Sequence, residues 1–101
     1  MTVHREFWGG RLVIYICGEL DESNIDIARE EFDKGIADNP NTVVLEMSEL
    51  KFIDSTGIGM IISRYKRLKS MGVPMYVKGL KAQTEKVFRM SGLLSIIKIA
   101  H

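Results

Sequence analysis

A chain of 101 residues, 46% hydrophobic and 27% charged, can bury one modest core and has little room for a second lobe, so a single domain over 1–101 is expected. This balance excludes wholesale disorder, and no apolar run approaches the ~20 residues needed to span a bilayer. The net charge of +1 conceals an uneven layout. Residues 1–54 carry five Lys and Arg against twelve Asp and Glu, and residues 55–101 carry nine against the single Glu85. The basic residues alternate with core positions and lack aromatic interleaving or a groove-reading motif, so no direct nucleic-acid partner is expected. The opening MTVHREFWGG lacks the apolar centre of a secretory signal, and no membrane partner is expected. The lone Cys17 excludes an internal disulfide and fits a reducing cytoplasm. Inside an apolar run, it is expected to be a buried, inert thiol.

Along the chain, VHREFW and RLVIYIC flank Gly9-Gly10, the two-residue linker of a tight hairpin whose turn needs positive φ. GELDESN then supplies a glycine and polar capping residues. Ile25, Ala28, Phe32 and Ile36 follow at helical spacing. ADNPN ends that helix, because Pro40 cannot continue it and Asn39 and Asn41 favour turns. TVVLEM reads as a short buried strand. Beyond Asp54, Ile58, Ile61, Ile62, Tyr65 and Leu68 form one helical stripe, while Arg64, Lys66, Arg67 and Lys69 lie off it. Pro74 belongs at the start of the next strand, MYVKGL, or on an edge. KAQTEKVFRM is a shorter helix ended by Gly92, and SIIKIA is a last strand. The order β-β-α-β-α-β-α-β implies an α/β domain with a mixed, mostly parallel sheet, an N-terminal hairpin and helices packed on it.

The most informative stretch is FIDSTGIGMIISRYKRLK, residues 52–69, where a strand-like approach meets a helix at Asp-Ser-Thr-Gly. A nucleophilic serine needs a base within reach, yet the only histidines are His4 and the terminal His101. Asp54 stands where a Gly-x-Ser-x-Gly elbow requires glycine. An aspartic-protease reading fails as well, since such sites pair two carboxylates and no second copy of the element exists. STGIG lacks the glycine spacing and lysine of a phosphate-binding loop, and no His, Cys, Asp or Glu cluster has metal-ligand spacing. Neither catalytic residues nor a metal or cofactor are therefore expected.

Helix capping by Asp54 or Ser55 accounts for part of the element. It leaves Gly57 and Gly59 unexplained, since each costs about 1 kcal/mol against alanine inside a helix. Ser55, Gly59, Ser63 and Lys66 share one stripe beside the core stripe, small at its start, so another protein could reach the Ser55 hydroxyl. A reachable serine without a base suits a substrate better than a catalyst.

Together with GELD (Gly18–Asp21) and FRMSGL (Phe88–Leu93), this stretch resembles the bacterial anti-sigma factor antagonists of the STAS fold, of the sporulation and general-stress type. The three motifs occur in the family's order and span nearly the whole chain. The resemblance implies that Ser55 is phosphorylated by a cognate anti-sigma factor, itself a serine kinase of the GHKL ATPase type. It implies that the unphosphorylated protein binds that kinase and frees the sigma factor, that phosphorylation switches binding off, and that a metal-dependent serine phosphatase resets it. Asp21 matches an acid that meets the kinase; Asp54, Thr56, Gly57 and Gly59 match the surrounding partner-binding motif. Thr56 is the second candidate hydroxyl. Met60, placed off the core stripe, and Arg64 are expected no nearer than the interface rim. A partner-switching module controlling secretion, biofilm formation or a signalling complex is the alternative within the fold. A nucleotide-binding domain is the rival of a different class.

Overall fold

The structure, a computed structural model, describes residues 1–100; His101, considered above as a base, lies outside the described residues. Strands β1 (Thr2–Trp8) and β2 (Arg11–Leu20) form the N-terminal hairpin, antiparallel from Thr2↔Cys17 to Trp8↔Arg11. Gly9 and Gly10 turn it at φ +59 and +82, a left-handed pair that side chains resist.

Helix α1 (Ile25–Ala37) buries the expected Ile25, Ala28, Phe32 and Ile36. Strand β3 (Thr42–Glu46) pairs in parallel with β2 from Arg11↔Thr42 to Tyr15↔Glu46. Strand β4 (Leu50–Ile53), helix α2 (Ser55–Ser70), strand β5 (Met75–Lys78), helix α3 (Ala82–Met90) and strand β6 (Lys98–Ile99) complete the order. The six-stranded sheet runs β1-β2-β3-β5-β6, with β4 paired to β2 off this path. Pro74 immediately precedes β5, as expected, and its carbonyl accepts from Val43 N at 3.0 Å.

Two expectations about strands need correction. The expected element order contains no separate β4. β2 is ten residues long, enough to serve β3 with its first half and β4 with Gly18–Leu20. A bulge between Gly18 and Glu19 shifts the register within the β2–β4 pairing, from Gly18↔Leu50 to Glu19↔Phe52. The second correction is at the C-terminal end. SIIKIA contributes only Lys98–Ile99 to the sheet, because Leu93–Ser95 first wind into a 3-10 turn that buries Leu93.

The helices share one core with the sheet. Leu12, Ile14, Ile16, Leu45 and Val77 meet Phe32, Ile61, Leu68 and Phe88 in a single buried cluster, each side chain contributing about 1.5–3 kcal/mol of burial. Strand alternation turns Val13, Tyr15 and Cys17 to the other side, where they are only half-buried. The Cys17 thiol is thus half-buried instead of buried.

Between α1 and α2, Arg64 grips Asp33 with Nε at 3.3 Å and Nη2 at 3.0 Å, and Arg67 adds a contact at 3.3 Å. Arg64 is therefore a tie between helices, its side chain mostly covered. Met60, expected at the surface, is 3% exposed. Because α2 packs on the sheet and also against α1, its buried arc is wider than the apolar stripe alone indicates.

Candidate functional site

The site assembles where β2 and β4 end and α2 begins. Asp54 is the N-cap of α2, with extended backbone, and its Oδ1 accepts from Gly57 N at 3.0 Å. Its Oδ2 accepts from the backbone N–H of Glu22 at 3.2 Å, and its own N–H donates to Leu20 O at 3.2 Å. One residue thereby joins the start of α2 to the loop that follows β2.

That loop has its own order. Asp21 Oδ1 accepts from Ser23 N at 3.0 Å and from Ser23 Oγ at 2.6 Å. Asn24, which stands at the N-cap position of α1, makes no side-chain cap there. Its Oδ1 accepts from Asp21 N at 3.0 Å, and its Nδ2 donates to Glu19 O at 2.7 Å. The polar run GELDESN thus folds onto itself and holds the half-buried Asp21 in place, instead of capping the helix.

Ser55 is the first residue of α2 and is exposed, whereas Thr56 beside it is half-buried. Gly57 is buried: a Cβ there would lie 2.7 Å from Ile53 Cγ1 and 3.1 Å from Leu20 O. Only glycine lets the first turn sit this close to the strands. Gly59 has no heavy atom within 4 Å of an added Cβ, so nothing in the fold requires it. Ser55, Gly59, Ser63 and Lys66 form the exposed stripe expected of them.

Ser55 also borders a shallow cleft of ≈ 400 Å³ lined by Ile53, Asp54, Ile58, Val87, Met90 and Ser91. Its far wall is α3, whose Val87 is 37% and Met90 78% exposed. Sequence reading missed this wall. The available signal was two apolar residues off the α3 stripe, whose buried members are Thr84 and Phe88. The structure therefore gathers Asp54, Ser55, Gly57 and Gly59 at one helix start and adjoins the Asp21 loop through Glu22 N. His4 sits on β1, 3.3 Å from Glu6 Oε1 and ring-to-ring with Tyr15, so it serves the sheet and not Ser55. Among the described residues, no group of His, Cys, Asp and Glu could hold a metal ion, and no helix is long and apolar enough to cross a membrane.

The STAS domain family matches residues 2–101. The chain is 32% identical over 100 residues to an anti-sigma F factor antagonist of Paenibacillus polymyxa, covering 98% of this chain and 86% of that protein. Among solved structures, the anti-sigma factor antagonist SpoIIAA in its unphosphorylated form superposes with a TM-score of 0.84 at 24% identity, over 99% of this chain and 89% of that one. The Bacillus cell fate determinant SpoIIAA in its phosphorylated form superposes with a TM-score of 0.76 at 24% identity, over 99% and 92%. At that identity the two structures speak to fold, and the fold they share has the hairpin, sheet and helix order described above. The chain belongs to the STAS domain family and is similar, along nearly its whole length, to anti-sigma factor antagonists.

Proposed function

We propose that this chain is a cytoplasmic, non-enzymatic anti-sigma factor antagonist that works as a phosphorylation switch. Unphosphorylated, it binds an anti-sigma factor that is also a serine kinase, and the sigma factor is released. Transfer of the ATP γ-phosphoryl group to Ser55 Oγ, with loss of the hydroxyl proton, ends that binding. A metal-dependent serine phosphatase hydrolyses the ester and restores the hydroxyl. The observation that carries this reading is the exposed Ser55 at the first residue of α2, bordering an apolar cleft. The likeness to an anti-sigma F factor antagonist supports the partner class, and the existence of SpoIIAA in a phosphorylated form supports the chemistry. The exposure of Ser55 against the half-buried Thr56 favours Ser55 as the acceptor.

The switch acts at the contact surface and leaves the fold intact. A phosphoryl group carries about −1.5 to −2 charge; the helix start favours an anion by about 0.3–1 kcal/mol, and the Asp54 carboxylate next to it opposes that by a comparable amount. A folded monomer is therefore nearly indifferent. Pressed against a partner shaped around a hydroxyl, the same group must be desolvated beside the apolar walls of the cleft, and binding fails.

Recovery of the partner from native lysate on the wild-type chain, then incubation with ATP, tests the reading. One phosphate on Ser55 is expected by mass spectrometry, with none on Ser55→Ala. The phosphorylated form should keep wild-type circular dichroism and melting while losing most affinity, and Ser55→Asp should mimic it in part. Stoichiometric labelling of Ser55→Ala would move the site to Thr56, and undiminished binding by the phosphorylated form would remove the switch.

A further inference from the structure

A helix cap needs one acceptor, and a serine side chain suffices for it. Asp54 uses two. Oδ1 caps α2 through Gly57 N at 3.0 Å, and Oδ2 reaches a different segment, accepting from Glu22 N at 3.2 Å. Its backbone N–H binds the same strand end, at Leu20 O, 3.2 Å away. The missing Cβ of Gly57 lets the helix start close on Leu20, since an added Cβ would stand 3.1 Å from Leu20 O. The β2–α1 loop is thus fastened to α2 through one carboxylate, and the two groups of the proposed switch, the half-buried Asp21 and the exposed Ser55, flank the fastening. Asp21 precedes Glu22, and Ser55 follows Asp54.

We propose that Asp54 is the positioning residue of the switch: it holds the Asp21 loop and the Ser55 turn in one fixed relation, so that a partner meets both as a single preformed surface. This rests on the reading of Ser55 and Asp21 given above, and it revises the expectation that Asp54 itself touches the partner. Both of its carboxylate oxygens are turned to the chain's own backbone. Preforming the pair removes an ordering cost from binding, which is how a residue without partner contact raises affinity. The internal order of the loop, from the Ser23 and Asn24 hydrogen bonds to Asp21, carries the fixed position of Glu22 on to the Asp21 carboxylate.

Two variants keep the cap and lose the second acceptor. Asp54→Asn keeps one carbonyl oxygen for Gly57 N–H and turns an NH2 toward Glu22 N–H; Asp54→Ser caps with its hydroxyl and reaches no further. In the free protein, both should speed hydrogen exchange at the Glu22 amide by about tenfold or more, leaving Gly57 exchange and the melting temperature near wild type. Against the anti-sigma factor recovered with the wild-type chain, Asp54→Ser should weaken affinity by about tenfold, but by less than about threefold in an Asp21→Asn background, because the two act through one surface. A purely capping Asp54 would give unchanged Glu22 exchange and additive affinity losses, and either result overturns the proposal. If the wild-type chain recovers no anti-sigma factor, the functional reading falls by itself. The Glu22 exchange rate still decides for or against the fastening.

Discussion

The two sides of α2 follow opposite rules over the same three turns. On the inner side, Gly57, Ile58, Met60 and Ile61 are all buried, and even a methyl group at Gly57 would collide with Ile53 and Leu20. On the outer side, Ser55, Gly59 and Ser63 are exposed, and Gly59 has open space around it. Glycine therefore has two unrelated meanings two residues apart. At Gly57 it is demanded by the fold; at Gly59 the fold would accept alanine, and the proposed partner surface is where its smallness would count. Substitutions can separate these meanings, because stability should respond on one side and partner affinity on the other.

The largest stability loss is expected from Met60→Ala. Removing a buried methionine side chain costs about 2–5 kcal/mol, and chemical denaturation should show it; a loss below about 1 kcal/mol would return Met60 to the surface. Gly57→Ala comes next, because overpacking a close helix–strand contact costs about 1–3 kcal/mol. Arg64→Ala should cost about 1 kcal/mol through its paired hydrogen bonds to Asp33, and Asp33→Ala in the same background should then add only the loss of the exposed Arg67 contact. Gly59→Ala has the opposite sign, raising stability by about 0.5–1 kcal/mol through helix propensity while lowering partner affinity. Equal affinity for that variant and wild type would mean that the outer stripe is not an interface at Gly59.

A smaller, pH-dependent effect provides a control away from both sides. The hydrogen bond from Arg5 Nε, at 2.8 Å, holds the Glu31 carboxyl below its ordinary range, against the opposing effect of burial. A depressed carboxylate contributes stability that is complete above the unfolded-state value of about 4.3 and is lost as pH falls through the lower native value. Denaturation curves across that window should flatten in Arg5→Ala, while the Ser55 and Gly59 variants keep the wild-type slope.

Periodicity carried most of the fold. The hairpin was legible because Gly9-Gly10 interrupts two strand-like runs, and α1 because Ile25, Ala28, Phe32 and Ile36 repeat at helical spacing and are buried as a set. β4 was legible only as a strand-like approach to Asp54 and not as a separate strand, because Leu50–Ile53 is four residues with both middle positions exposed, a pattern with no alternation to read. Met60 was misplaced because a helix resting on two neighbours buries more than its most apolar stripe. Within the site, the Ser55 surface could be read from local spacing. The Asp54 bond to Glu22 could not, since it joins positions 32 residues apart and uses a backbone N–H that no side-chain pattern announces. The α3 wall of the cleft likewise depends on how Val87 and Met90 are brought opposite Ile58.

The bulge between Gly18 and Glu19 works as an expansion joint in the sheet. Gly18 takes φ +95, and its N–H is held by Glu49 O at 2.9 Å, so the irregular step is fixed by its own hydrogen bond. β2 and β3 keep an unbroken register from Arg11 to Tyr15, while the step falls inside the β2–β4 pairing, between Gly18↔Leu50 and Glu19↔Phe52. The loop after Leu20 and the helix after Ile53 both emerge beyond the joint. Insertions or substitutions there can realign β4 by a fraction of a residue without disturbing the alternation of Leu12, Ile14 and Ile16 against the core. The end that carries the proposed switch can therefore be adjusted while the core strands keep their register.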